Sequence, residues 1–137
     1  MNPLLRNILS VIAGAVVSSF VNGGIIAISS SVIPPPAGVD VTTMEGLKAS
    51  MHLFEPKHFL MPFLAHALGT LVGAFIAALI AVNNKVRPAI IVAVLFLIGG
   101  IMNVIMLPAP TWFSAVDLLL AYIPMGLIGA RLGGANR

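Results

Sequence analysis

Two ionisable residues, His66 and Asp117, lie inside long apolar stretches of this sequence and are its first candidates for chemistry. An imidazole paired with a carboxylate exchanges a proton near neutral pH. Ionisable side chains are costly inside a membrane, so they usually face protein or a water-filled cavity and often mark a functional site. The pair therefore predicts proton-linked binding or transport of a small solute or cation.

Three uncharged polar residues also lie within the apolar stretches: Asn22, Asn103 and Tyr122, the last in the same stretch as Asp117. From a helical rise of about 1.5 Å per residue, we expect His66 about 12 Å and Asp117 about 7–8 Å below the outer ends of their helices. The other three fall within about 15 Å of the same end. We therefore expect one polar cluster that binds a ligand. The simpler interpretation is that these groups hydrogen-bond across helices and only fix the packing.

A weaker pattern, His52, Glu55 and His58 at intervals of three, has ligand types that suit zinc. However, Pro56 interrupts the helix and Lys57 places a cation beside the pattern. We therefore prefer a solvated interfacial face and predict no metal and no cofactor. The chain has no cysteine, and it lacks a Gly-rich phosphate loop and an HExxH motif, so no catalytic residue is assigned.

The composition indicates a protein whose outer surface is lipid-facing. Of the 137 residues, 59% are hydrophobic and only 8% are charged, whereas soluble domains have about 25% charged residues. At about 20 residues per span, four crossings account for most of the chain. We predict an all-α fold: a single membrane domain that is a four-transmembrane-helix bundle. The predicted spans are residues 4–30, 59–82, 88–107 and 113–132, with an extracytoplasmic loop at 31–58.

Small residues recur at helical spacing in three of the spans. In the first span they form a stripe that contains Gly14 and Ser18, and in the second span they form a ladder that contains Gly69 and Gly73 and shares a face with His66. Small residues at this spacing let helices approach closely. Similar glycines occur in the fourth span, and such faces favour tight packing that can include a homodimer. The residues are Gly14, Ser18 and Asn22; Gly69, Gly73 and Ala77; and Gly126, Gly129 and Gly133.

The long loop between spans 1 and 2 predicts a short amphipathic helix. Thr42 followed by Glu45 has the form of a capping box, and Pro56 ends the segment. Apolar residues at intervals of 3, 4 and 3 define one face: Met44, Leu47, Met51 and Phe54. We expect this helix to lie at the membrane surface or to fold back over the mouth of the bundle as a lid.

The distribution of cations predicts the topology. Five lie near the N-terminus, the second connector and the C-terminus, and two lie in the first loop: Arg6, Lys85, Arg87, Arg131 and Arg137 against Lys48 and Lys57. The positive-inside rule then places both termini on the cytoplasmic side. We expect the membrane to be the cytoplasmic membrane of a bacterium. The apolar stretch after Arg6, residues 7–33, exceeds the roughly 7–15 residues of a signal-peptide core, so we expect a retained span.

The two helical hairpins resemble each other. Gly23-Gly24-Ile25 precedes a proline cluster as Gly99-Gly100-Ile101 does, and His66 aligns with Tyr122. We interpret this as two tandem hairpins, which favours a pocket between the halves.

Three functions stay open. The leading one is an integral membrane protein with an outward-facing polar cluster that binds or transports a small solute or cation with proton linkage. The alternatives are a non-catalytic accessory subunit of a larger membrane complex, and a membrane-embedded enzyme with His66 and Asp117 as its acid–base pair. Scattered cations argue against nucleic acid, so the expected partners are lipid, a possible second copy or a larger complex, and an unidentified small molecule or ion.

Overall fold

The computed structural model describes residues 1–135 and is all-helical over that range, as predicted. Four segments are long and apolar enough to cross a membrane: Pro3–Val32, Pro56–Ile80, Val86–Met106 and Thr111–Leu132. The helices are α1 (Pro3–Val32), α2 (Met44–Ser50), α3 (Leu60–Ile80), α4 (Val86–Met106), α5 (Thr111–Leu120) and α6 (Ile123–Leu132). Short 3₁₀ turns at Met51–Leu53 and Pro56–Phe59 join α2 to α3. The predicted four-helix membrane bundle is confirmed.

One end of the bundle collects the start of α1, the end of α3, the start of α4 and the end of α6. The Arg6 Nε atom donates a hydrogen bond to the Ile80 carbonyl at 2.8 Å. The Lys85 ammonium donates to the carbonyls of Ala78, at 3.1 Å, and Gly133, at 3.4 Å. These cations satisfy carbonyls that have no partner within their own helices and complement the negative helix ends. We call this the basic end.

Helix α1 packs mainly against α3 along a seam of small residues. A methyl group added at Gly73 would collide with the Ser18 hydroxyl and lie 2.6 Å from the Gly14 carbonyl oxygen. The Ser18 hydroxyl donates to the Gly69 carbonyl at 2.6 Å. The stripe in span 1 and the ladder in span 2 are therefore the two sides of one contact.

The glycines of α6 are also used inside the chain. A methyl group at Gly129 would lie 2.5 Å from the Leu71 carbonyl oxygen, and one at Gly133 would lie 2.6 Å from the Ala78 methyl. One at Gly126 would approach an alanine of α4. Both glycine faces thus pack against helices of the same chain, and a homodimer, which stays a prediction, would need a different surface.

The fourth span, predicted as one continuous helix, is broken between Leu120 and Ile123. Pro124 has no N–H to donate to the carbonyl of Leu120, and its ring would clash with that carbonyl in a continuous helix. Residues five apart on an unbroken helix point about 140° away from each other. The break instead brings Tyr122 beside Asp117.

The segment of residues 44–54, which we call the lid segment, contains α2 and the following turn. The N-cap is Thr43 and not the predicted Thr42, because the Thr43 hydroxyl accepts the Gly46 N–H at 3.0 Å. Thr42 instead donates its hydroxyl and its backbone N–H to Asp40, at 2.5 and 2.9 Å. These two hydrogen bonds, the hydroxyl's first, hold the pKa of Asp40 below its usual value.

Candidate functional site

His66 and Asp117, which lie on α3 and α5, form the predicted pair. The Nδ1 atom of His66 lies 2.8 Å from Oδ1 of Asp117, and the Asp117 residue is only 3% exposed. When Asp117 is ionised it only accepts hydrogen bonds, and the proton of this contact is then on Nδ1. The other ring nitrogen, Nε2, makes no hydrogen bond to any residue between 1 and 135, and the ring lines a cavity.

Tyr122 contacts both members of this pair. Its hydroxyl donates to Oδ2 of Asp117 at 3.2 Å, and its ring stacks on His66 with the centroids 5.9 Å apart. The residue is 1% exposed. Gly100 of α4 makes this position possible, because a methyl group there would lie 2.5 Å from the tyrosine hydroxyl. We call these three residues the His66–Asp117–Tyr122 cluster.

A cavity of about 300 Å³ lies beside the cluster, between α1, α3, α4 and α5 and beneath the lid segment. We call it the inner cavity. Its polar residues are Asn22, His66, Asn103, Ser114 and Asp117, and its other walls are apolar. The four residues of the predicted apolar face of the lid segment all line it: Met44, Leu47, Met51 and Phe54. Ligand pockets have volumes of about 300–1,000 Å³, so the inner cavity suits a small molecule.

The two asparagines of the predicted cluster line the inner cavity without joining the hydrogen-bonded group. The Oδ1 atom of Asn22 is buried and accepts no hydrogen bond within residues 1–135, and such an unsatisfied buried acceptor is uncommon. Asn103, near the C-terminal end of α4, is an exposed residue that also borders the cavity. The tertiary structure thus brings four of the five predicted residues to one cavity, while Tyr122 reaches it only through Asp117 and His66.

Two of the weaker metal candidates, Glu55 and His58, belong to one turn. The Nδ1 atom of His58 accepts the Glu55 backbone N–H at 2.8 Å, and the Glu55 carboxylate lies 3.5 Å from the Lys57 ammonium. Within residues 1–135, no three His, Asp or Glu side chains are placed to hold a metal ion. These residues instead shape the entry into α3.

Several residues that shape the site were missed by reasoning from the sequence. Pro124 in the middle of a span was the available signal for the helix break. Phe59 and Phe113, whose ring centroids are 4.6 Å apart, form one wall of the inner cavity. Ser114, for which the sequence predicted no role, lines the cavity as well. Aromatic residues at span ends usually mark the membrane interface, so no pattern singled out this wall.

Comparison of the chain with protein-family models, with curated proteins and with solved structures finds no match. The fold and the site define only a class: a multi-pass α-helical protein in which a partly buried ionisable cluster borders a small cavity.

Proposed function

We propose that this protein binds a small molecule in the inner cavity and carries it into or across the membrane, with proton exchange at His66. The observation that carries the proposal is the partly buried contact of 2.8 Å between His66 and Asp117, with His66 itself lining the cavity. A pair that served only to hold helices together would not need a cavity beside it.

Protonation changes what His66 offers to a ligand. When the ring is neutral and Nδ1–H donates to Asp117, Nε2 is a hydrogen-bond acceptor; when the ring is protonated, Nε2–H is a donor. The cluster also changes by one unit of charge, in a setting where electrostatic interactions are strong. Binding and release of a ligand would therefore be linked to uptake and release of a proton, as the predicted function requires.

The broken span supports movement of the ligand. Non-helical backbone at membrane depth is tolerated where it is buried in protein or lines a cavity, and interrupted helices beside a central site are frequent in transporters. Here the break at Ala121 and Tyr122 directly adjoins the cluster. We further propose that the basic end faces the cytoplasm of a bacterial cell, because the cations concentrate there. The lid segment then lies on the outer side.

Cysteine labelling tests whether the cavity admits molecules. The chain has no native cysteine, so Ser114→Cys places a single thiol in the cavity wall. The matched control is Ser10→Cys, which is fully buried near the basic end. In proteoliposomes we expect maleimides to label Ser114→Cys and to leave Ser10→Cys unlabelled. Equal protection of both thiols in folded protein would show that the cluster is dry packing and would refute the proposal.

Nuclear magnetic resonance tests the proton linkage. His52→Gln and His58→Gln leave His66 as the one histidine of the chain, so ¹⁵N-histidine spectra report on that ring alone. We expect the neutral ring to carry its proton on Nδ1, directed to Asp117. A ring that keeps one protonation state at every pH would contradict proton linkage.

A second candidate, a membrane-embedded enzyme, is favoured by one feature of the same pair. A carboxylate that holds Nδ1 while Nε2 faces the substrate is the arrangement of a histidine general base. Such an enzyme should hydrolyse an activated ester probe at a rate that His66→Gln abolishes without unfolding the protein. Binding without turnover would leave the transport proposal in place.

A further inference from the structure

We infer that the ligand of the inner cavity is a small amphiphile with a hydrogen-bond-donating head, and that it enters sideways from the lipid between Phe59 and Phe113. This inference rests on the proposed function, because it presupposes that the inner cavity binds a molecule. It adds the chemical class of that molecule and its route.

The head group follows from the free acceptors in the inner cavity. Asn22 lines this cavity, and its buried Oδ1 accepts no hydrogen bond within residues 1–135. Neutral His66 presents Nε2 as a second acceptor, because its Nδ1–H is directed to Asp117. Both oxygens of Asp117 already have partners, in His66 and Tyr122. A hydroxyl or an amine would satisfy these acceptors, whereas a group that only accepts hydrogen bonds, such as an ether, would leave them unsatisfied.

The body of the ligand follows from the remaining walls. Apart from the polar residues named above, side chains such as Met51, Phe54, Val104 and Leu107 surround the cavity. Apolar walls match an apolar body, and each methylene of such a body favours lipid over water by about fourfold. The ligand is therefore concentrated in the membrane before it binds.

The proposed route follows from two side chains that line both the inner cavity and a neighbouring surface groove. Phe59 and Phe113 line the inner cavity and also an outer groove of about 290 Å³ between the start of α3 and α5. The rest of that groove is apolar and includes Phe63, Trp112 and Val116. A single layer of aromatic rings thus separates the cavity from the lipid-facing surface, and a change of side-chain rotamer would open it without moving a helix.

The opposite wall offers a competing route from water. Leu47 and Phe54 of the lid segment line the inner cavity and also a space of about 200 Å³ that Ser29, Ser30 and His58 border. That space is more polar than the groove, and the lid segment is held down by Met51, which is only 5% exposed. An apolar ligand would have to leave the lipid to use this route.

The experiment compares two maleimides on the Ser114→Cys protein in proteoliposomes: an N-alkyl maleimide that dissolves in lipid and a sulfonated one that stays in water. Each labelling rate is divided by the rate for the same protein unfolded in sodium dodecyl sulfate, which removes differences in intrinsic reactivity. We expect the lipid-soluble reagent to react and the sulfonated one to react far more slowly.

Two matched substitutions then open one wall each. Phe113→Ala, on the lipid side, is expected to accelerate the N-alkyl maleimide several-fold, and by more than Leu47→Ala, on the lid side, does. If Leu47→Ala accelerates labelling more than Phe113→Ala does, or if both reagents react equally with Ser114→Cys that has no second substitution, then entry is from the water side. Either result would overturn the inference while the proposed function stands. If neither reagent reaches Ser114→Cys in any variant, the proposed function itself fails.

Protection of the same thiol tests the head group. 1-Octanol is expected to slow labelling of Ser114→Cys, and octyl methyl ether, which has no donor, is expected to protect far less. Asn22→Leu removes the free acceptor with little change in volume, so it should reduce the difference between alcohol and ether. Equal protection by both compounds would overturn the assignment of a donating head, and an undiminished difference in Asn22→Leu would overturn the role given to Asn22.

Discussion

Gly99 and Gly100 are neighbours on α4 whose replacement by alanine should have opposite consequences. A methyl group at Gly99 meets no atom within 4 Å, whereas one at Gly100 would lie 2.5 Å from the Tyr122 hydroxyl and 2.7 Å from two ring carbons. Ordinary contacts are about 3.5 Å or longer, so the buried ring would have to retreat by about 1 Å. Such a shift would break its hydrogen bond to Asp117.

The magnitude follows from these contacts. Overpacking of this kind costs about 1–3 kcal/mol, and the lost hydrogen bond adds about 1 kcal/mol. Both substitutions gain the same helix propensity, up to about 1 kcal/mol, so this term cancels between them. We expect Gly100→Ala to be less stable than Gly99→Ala by about 2–4 kcal/mol. The assay is unfolding in mixed micelles by sodium dodecyl sulfate, followed by circular dichroism.

A second substitution identifies the cause. Tyr122→Phe removes the hydroxyl, which is the nearest atom to the added methyl group, so it should recover part of the stability lost in Gly100→Ala. If Gly99→Ala and Gly100→Ala differ by less than about 0.5 kcal/mol, a value within the usual range of surface substitutions, then Tyr122 does not occupy the position described here. The packing of Tyr122 against Gly100 and Asp117 would then be refuted.

Three further predictions concern the seam between α1 and α3 and the lid segment. Gly73→Ala should destabilise the protein by about 1–3 kcal/mol in the same unfolding assay, with Gly99→Ala as the neutral control, and an unaffected Gly73→Ala would contradict the seam. Ser18→Ala should lower the free energy of unfolding by about 0.5–1 kcal/mol, because it loses the hydrogen bond to the Gly69 carbonyl. The control is Ser19→Ala, which should be neutral because the Ser19 hydroxyl bonds only within its own helix. Equal effects would refute the contribution given to the bond between Ser18 and Gly69. The pKa of Asp40 is lowered by its hydrogen bonds from Thr42. The stability that these bonds give to the turn before the lid segment is therefore complete above the ordinary pKa of about 3.9, and it is lost as the pH falls through the lowered pKa. Hydrogen exchange of the lid amides, corrected for intrinsic rates, should therefore accelerate in acid, and Asp40→Ala should show the acid behaviour already at neutral pH; an Asp40→Ala lid as protected as the original would contradict this.

The architecture could be predicted because its signals are local. Hydropathy over windows of about 20 residues locates membrane spans, and the four observed helices lie close to the predicted ranges. Helical spacing placed Ser18 and Gly73 on small-residue faces, and these faces meet in the structure. The same spacing placed His66 beside the ladder and therefore toward protein, where it contacts Asp117.

Parts of the site could not be predicted because they depend on contacts between distant segments. Spacing alone treats Gly99 and Gly100 alike, and only the packing of α4 against the fourth span shows that one faces open space and the other faces Tyr122. Likewise, Thr42 and Thr43 both precede the lid helix, and the competing acceptor at Asp40 decided which of them caps it.

The sequence by itself determined that this is a helical membrane protein of four spans with one His–Asp pair near one end, because hydropathy and helical periodicity act over a few turns of chain. The tertiary structure decided that Pro124 breaks the last span, that Tyr122 turns back onto Asp117, and that the lid segment closes a cavity instead of lying flat. Each of these depends on where separate helices meet in space, and no local pattern encodes that arrangement.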